Sequence, residues 1–140
     1  MIDMKDNKHK FRKAIWKRVS RFFPYWRKKL GFLRVLRYKG REDFPIGYLR
    51  DGFRIEDIEK ELLKLGFEKY YVAWIDIGEI LGVRKNNGFE YQYHLRIFSD
   101  GEVRGHYELT PEYRAFKHFF DIGKVEKNDE FKNMLGHILK

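Results

Sequence analysis

The chain has 140 residues, with 30 Lys or Arg against 21 Asp or Glu, for a formal charge of +9. That length fits one domain, and a 43% hydrophobic content with 13 Phe, 9 Tyr and 3 Trp excludes a wholly disordered chain. The lack of Cys excludes a disulfide framework, a thiolate metal site and a thiol nucleophile, and no apolar run approaches the roughly 18 residues a spanning helix needs.

Charge is distributed unevenly. Residues 1–41 hold 15 Lys or Arg against Asp3 and Asp6 alone, a net +13; the other 99 residues hold 15 against 19, a net −4. The chain therefore reads as a basic arm, residues 1–42, ahead of a body, residues 43–140. The charged first twenty residues lack the apolar stretch of a secretory signal, and Ser20 as the arm's sole hydroxyl residue is poor composition for a transit peptide. Residues 10–23 read as a helix: at 100° per residue, Phe11, Phe22, Ile15, Val19, Phe23 and Trp16 share an arc of about 140°, interrupted by Arg12. Lys13, Lys17, Ser20 and Arg21 take the other side. Pro24 predicts a break or kink. Tyr25–Tyr38 is read as a second helix, though Phe32–Tyr38 would also suit a strand. Tyr38–Gly47, with two Gly and one Pro, reads as a linker or surface loop.

In the body, Ile55, Ile58, Leu62 and Leu65 recur at helical intervals, with Gly66 as a C-cap and Phe67 as its hydrophobic contact. Three strand-like runs follow, Tyr70–Arg84, Phe89–Phe98 and Glu102–Leu109, with hairpin signals at Asn87-Gly88 and Asp100-Gly101. Thr110-Pro111-Glu112 opens a helix with Tyr113, Phe116, Phe119 and Phe120 on its apolar side. Asn128-Asp129-Glu130 opens a last one that turns Phe131, Met134, Leu135, Ile138 and Leu139 inward. The order α-β-β-β-α-α predicts an α+β fold: a three-stranded antiparallel meander with helices packed on one face, behind a basic, mainly helical arm. Scarce Ser, Thr and Gln beside abundant Lys, Arg and Glu lean toward a thermostable, heat-adapted protein.

The hydrophobic pattern fixes a register for the second hairpin. A three-residue loop pairs Phe98 with Glu102, so that Ile97 faces Val103, Leu95 faces Gly105, Tyr93 faces Tyr107 and Tyr91 faces Leu109, and one face becomes apolar. The same loop type at Asn86-Asn87-Gly88 would pair Val83 with Tyr91 and Leu81 with Tyr93, put Arg84 across from Glu90, and carry the apolar face on through Ile77, Ile75 and Ala73. The opposite face then sets His94 across from His106 and Arg96 across from Arg104. Like pairs at adjacent positions are unfavourable unless something compensates. One account is a solvated lattice, with Glu90, Glu102 and Glu108 compensating diagonally. The other is an anion-binding plate made of His94, Arg96, Arg104 and His106, or a metal over the same face.

Four chemistries are open to these residues. His94, His106 and Glu108 form a two-His-one-carboxylate set that a divalent metal would accept, although the neighbouring Arg pair repels a cation, and no metal or cofactor is expected. The same three residues are the candidates for acid–base catalysis, because mutual repulsion keeps one imidazole neutral near pH 7. No P-loop, Gly-x-Ser-x-Gly, His-Glu-x-x-His or Rossmann fingerprint is present, so an enzyme is not the favoured reading. Nucleic acid is the leading expectation, RNA ahead of DNA, in the cytoplasm. Lys10, Arg12, Lys13, Lys17, Arg18, Arg21, Arg27, Lys28, Lys29, Arg34 and Arg37 would meet phosphates, with Trp16 and Trp26 as stackers. The alternative is a peripheral membrane protein held to anionic lipid by the amphipathic arm. A hydrolase acting on a phosphate ester through His94, His106 and Glu108 comes third. The fate of Phe11, Ile15, Val19 and Phe22 separates the first two: burial against the body removes lipid, exposure favours it.

Overall fold

The computed structural model describes residues 4–37, 40–41, 43–69, 75–119 and 123–140. In chain order the elements are α1 (Met4–Arg37), β1 (Phe44–Tyr48), α2 (Ile55–Lys64), β2 (Glu68–Lys69), β3 (Glu79–Asn87), β4 (Tyr91–Phe98), β5 (Glu102–Leu109), α3 (Pro111–Phe119) and α4 (Asn128–Leu135). The α+β class is as expected, but the sheet has five antiparallel strands in the order β1-β5-β4-β3-β2 rather than a three-stranded meander.

Of the two extra outer strands, β2 is a two-residue edge beside β3, and β1 comes from the stretch that reads as a linker. Pro45 has no N–H to donate, which an edge strand tolerates, and the register shifts between Pro45 and Gly47. The chain's last residues extend this edge: Lys140 N–H donates to Tyr48 O at 2.9 Å, and Arg50 N–H to Ile138 O at 2.9 Å.

The β4–β5 hairpin has the expected register, with Ile97 opposite Val103, Leu95 opposite Gly105, His94 opposite His106 and Arg96 opposite Arg104. The β3–β4 hairpin differs. Asn87 pairs with Tyr91, Val83 with Leu95 and Leu81 with Ile97, because the loop is Gly88-Phe89-Glu90 and β3 continues through both asparagines. The offset is even, so each side chain keeps its predicted face. The gain is that Leu81 and Val83 meet Ile97 and Leu95, which are fully buried; Arg84 then stands opposite His94, not Glu90. Ile75 and Ile77 do not extend the apolar face: they precede β3 and are exposed, and residues 70–74 lie outside the described ones.

The apolar face carries the core. Leu81, Val83, Leu95, Ile97 and Val103 cluster with Ile58 and Leu62 of α2, Phe131 and Leu135 of α4, and Phe67. Phe67 follows a helix end at which Gly66, φ +91°, allows its own N–H to donate to Leu63 O and that of Phe67 to Leu62 O. Gly105 is the closest approach in this core. A Cβ there would lie 2.7 Å from His94 O and 2.9 Å from the Phe131 ring. Thr110 opens α3 as expected, its hydroxyl accepting from Tyr113 N–H at 3.2 Å and donating to Phe89 O at 2.7 Å. The side chains of Phe116, His118, Phe119 and Phe120 lie outside the described residues.

The helix α1 runs unbroken through Pro24, against the expected break there. Proline's φ suits a helix, and its cost is a missing hydrogen bond and a crowded carbonyl one turn back. At 1.5 Å per residue, 34 residues span about 50 Å.

Candidate functional site

Two regions concentrate the residues that the sequence singles out. The first is the surface of α1, where the expected apolar arc divides into two stripes. His9, Arg12, Trp16 and Phe23 lie together at about 100–160° from Phe11, and all four are half-buried. This is the docking side. The His9 ring stacks on Phe89 at 3.9 Å, and Arg12 Nη1 donates to Tyr113 O at 3.1 Å. Arg12, which intrudes on the apolar arc in sequence, thus fastens the helix to α3.

Phe11, Phe22, Ile15 and Val19 form the second stripe, within about 80° of one another. They face outward at 66%, 65%, 44% and 38% exposure. Lys10, Lys13, Lys17, Arg18, Arg21 and Lys29 are exposed as well. Lys29 Nζ sits 4.6 Å from the centre of the exposed Tyr25 ring. The side chains of Trp26, Arg27, Lys28, Arg34 and Arg37 lie outside the described part of the helix. α1 therefore presents lysines and arginines beside a row of uncovered apolar side chains.

The second region is the polar face of the sheet. The predicted solvated lattice is not found: Gln92, His94, Arg96, His106 and Glu108 are all buried. Compensation comes from carboxylates on other segments. Arg96 Nε lies 2.7 Å from Asp43 Oδ2, and its Nη1 lies 2.7 Å from Glu79 Oε2 and 3.5 Å from Asp76 Oδ2. Gly82, opposite Arg96, leaves the space into which Glu79 folds. Arg104 Nη1 donates to the carbonyls of Arg41 and Asp43 at 2.7 and 2.8 Å, and its Nε to Glu102 at 2.5 Å. Arg41 bonds Glu102 and Asp100 in turn. Arg84 bonds Glu112, Gln92 and Glu68 instead of Glu90.

At the centre, His106 Nδ1 lies 2.6 Å from Asp43 Oδ1 and Nε2 lies 3.0 Å from Glu108 Oε2. Gln92 Nε2 donates to Glu108 at 2.9 Å. Burial opposes the charged form of His106, but the hydrogen bonds to Asp43 and Glu108 outweigh it and raise its affinity for a proton. Burial would likewise raise the Asp43 carboxyl, yet the hydrogen bond from His106 and the charges of His106 and Arg96 hold it well below the usual carboxylate range. His94 moves the other way. Burial first, then the positive charges of Arg96 and His106, push it well below an ordinary histidine, so it is neutral at pH 7.

The sheet thus brings His94, Arg96, Arg104 and His106 to one face, as the register requires, and supplies that face with its own anions. Asp43, Asp76 and Glu79 escape a sequence reading. Asp43 sits in an apparent linker whose proline disguises β1, and Asp76 lies in a stretch that reads as a continuous strand. Glu108 is buried beside both histidines, so the three hydrolase candidates meet away from solvent. Against protein-family models, curated proteins and solved structures, the chain finds no match.

Proposed function

We propose that the protein is a non-enzymatic peripheral binder of anionic membrane surfaces, attached through α1 and facing the cytoplasmic leaflet. The observation that carries the reading is the outward stripe of Phe11, Ile15, Val19 and Phe22 on a helix rich in exposed Lys and Arg. Such a helix lies in the interface plane, with its apolar row at the acyl boundary and its long basic side chains reaching up to headgroups. Each basic residue near an anionic surface contributes about 1 kcal/mol, and each half-exposed apolar side chain removed from water about 1 kcal/mol more. The docking stripe is on a different side of the helix, so the body stays in water while α1 lies flat. No described helix is long and apolar enough to cross a membrane, in keeping with attachment rather than spanning.

Nucleic acid is the competing reading. Lys10, Lys13, Lys17, Arg18, Arg21 and Lys29 are as well placed for phosphates of a polynucleotide as for those of a lipid. It gives work to Phe11 and Phe22 alone, however, because Ile15 and Val19, exposed in the same row, have no π-face on which a base would stack. Co-sedimentation of the full chain with vesicles of phosphatidylglycerol and phosphatidylcholine, beside vesicles of phosphatidylcholine alone, tests the proposal. We expect binding to the anionic vesicles only, and its loss by about a hundredfold in the triple variant Phe11→Ser, Ile15→Ser, Phe22→Ser, from about 1 kcal/mol at each position. Failure to bind anionic vesicles overturns the reading. So does tight, steeply salt-dependent binding of single-stranded RNA that the triple variant retains, which would return the arm to nucleic acid.

A further inference from the structure

We propose that Asp43, His94 and His106 form a buried site for a divalent late first-row transition metal, of which Zn²⁺ is the test ion. One ligand atom from each of the three residues lies within 4.8 Å of the others, and all three residues are buried. Two imidazoles and one carboxylate are a donor set that suits Zn²⁺, Fe²⁺ or Co²⁺. The residues are delivered by adjacent strands of a paired sheet. His94 on β4 stands opposite His106 on β5, and Asp43 leads into β1, whose first residue Phe44 pairs with Gly105. The two imidazole rings meet at 80° with centres 4.9 Å apart, an edge-on contact between two bases inside a sheet.

The groups behind these donors have the arrangement of an outer shell. Glu108 Oε2 lies 3.0 Å from Nε2 of His106, leaving Nδ1 to face Asp43. A carboxylate this close to the far nitrogen of a ligating histidine strengthens it as a ligand through its charge, although His106 Nε2 makes no hydrogen bond of good geometry. Arg96 Nε holds Asp43 Oδ2 at 2.7 Å and leaves Oδ1 toward the histidines. Glu108 Oε1 accepts from Gln92 Nε2 at 2.9 Å and lies 3.8 Å from His94 Nδ1, beyond hydrogen-bond distance, so this carboxylate acts on His94 through its charge alone. Lys124 Nζ, 3.5 Å from Asp43 Oδ1, is the opposing feature: it and Arg96 keep affinity below that of an all-anionic cage.

Binding replaces a proton. The hydrogen shared between His106 Nδ1 and Asp43 Oδ1 leaves to solvent as the ion takes its place. Those atoms, now 2.6 Å apart, then separate to about 3.3 Å, the spacing of two ligands about 2.0–2.1 Å from a tetrahedral ion. The ion ties β4, β5 and the entry to β1 at one point, so its role is structural.

The test takes the full chain, strips it with a chelator, and titrates it with Co²⁺ while following the visible ligand-field bands, with Zn²⁺ as competitor and elemental analysis for stoichiometry. We expect one equivalent, a four- or five-coordinate spectrum, displacement by Zn²⁺ and a higher Tm with metal. Asp43→Asn and His94→Gln should each abolish the bands, while a double His9→Gln, His137→Gln variant keeps them. A folded wild-type chain that takes up no Co²⁺ or Zn²⁺ overturns the site without reference to any variant. Bands that survive in His94→Gln, or vanish in the double variant, overturn it too, since the metal would then sit on histidines away from the sheet.

Discussion

On one face of β4 and β5, Leu95, Ile97 and Val103 join a cluster of aliphatic and aromatic side chains; on the other, His94, Arg96, His106 and Glu108 are buried nearly as deeply. The difference lies in what each face asks of its neighbours. The apolar face needs volume and little more, and a two-residue slip of β5 along β4 would return an apolar side chain to most positions. The ionic face would not survive that slip. His106 would leave Asp43 and Glu108 behind, stranding buried charges that cost several kcal/mol each without partners. The apolar face therefore supplies most of the favourable free energy, and the ionic face penalises every register but one.

The largest effect should come from removing a single ion from the charged side. Arg96→Ala leaves Asp43, Glu79 and Asp76 without the guanidinium that all three approach. Breaking such a buried set from one side costs about 3–5 kcal/mol, a large share of the roughly 5–15 kcal/mol that holds a domain together. Leu95→Ala on the other face should cost about 2–5 kcal/mol through lost transfer energy and a cavity. Urea denaturation of both variants measures this. If Arg96→Ala loses less than about 1 kcal/mol, the ionic face is far better hydrated than its burial implies and the contrast between the faces fails.

How far the sequence discloses this depends on the span of each signal. Local signals suffice for Ile55–Leu65 and its Gly66 cap, for Thr110 and Pro111, and for the Asp100-Gly101 turn with the register it imposes through Leu109. The β3–β4 register is misread by four residues, because the turn signal at Asn87-Gly88 fits two loops and only the burial of Leu81 and Val83 against Ile97 and Leu95 chooses between them. The polar face is the instructive failure. Alternation correctly separates His94 and Arg96 from Leu95 and Ile97, but polarity does not mean solvent when Asp43 arrives from more than fifty residues away. Two of the three ligands of the candidate metal site, the opposed histidines, follow from pairing alone; the carboxylate does not. On α1, the amphipathic arc is legible, but its division into a docked and an outward stripe is set by Phe89 and Tyr113 of the body.

A smaller effect tests the apolar face itself. At Gly105, which is opposite Leu95, an added Cβ would press on the His94 carbonyl, the Phe131 ring and Ile46. The carbonyl is backbone and cannot rotate away, so Gly105→Ala should cost about 1–3 kcal/mol by overpacking. The matched control is Gly82→Ala on the ionic face, where the close neighbour is only the far end of Glu79, at 2.6 Å. If Gly82→Ala proves the costlier of the two by chemical denaturation, then the position of Glu79 beside Arg96 is more tightly fixed than the packing around Phe131.

The smallest effect lies where the apolar face meets water. Tyr93 is partly buried against Phe131, and its hydroxyl donates to Glu130. Burial, and then the hydrogen bond and charge of Glu130, push its ionisation up to about 12 from the usual 10.0. The folded chain thus keeps this proton over a range in which the unfolded chain releases it. The contribution to stability is intact below pH 10 and is lost as pH rises toward 12. Followed by tyrosinate absorbance as the difference between wild type and Tyr93→Phe, this phenol should titrate late among the chain's 9 tyrosines. Glu130→Gln removes the charge while keeping an acceptor, so the titration should move back toward 10.0 without reaching it, the remainder being due to burial. A return all the way would mean that the edge of the apolar face is wet at Tyr93, and that the sealed region ends at Phe131.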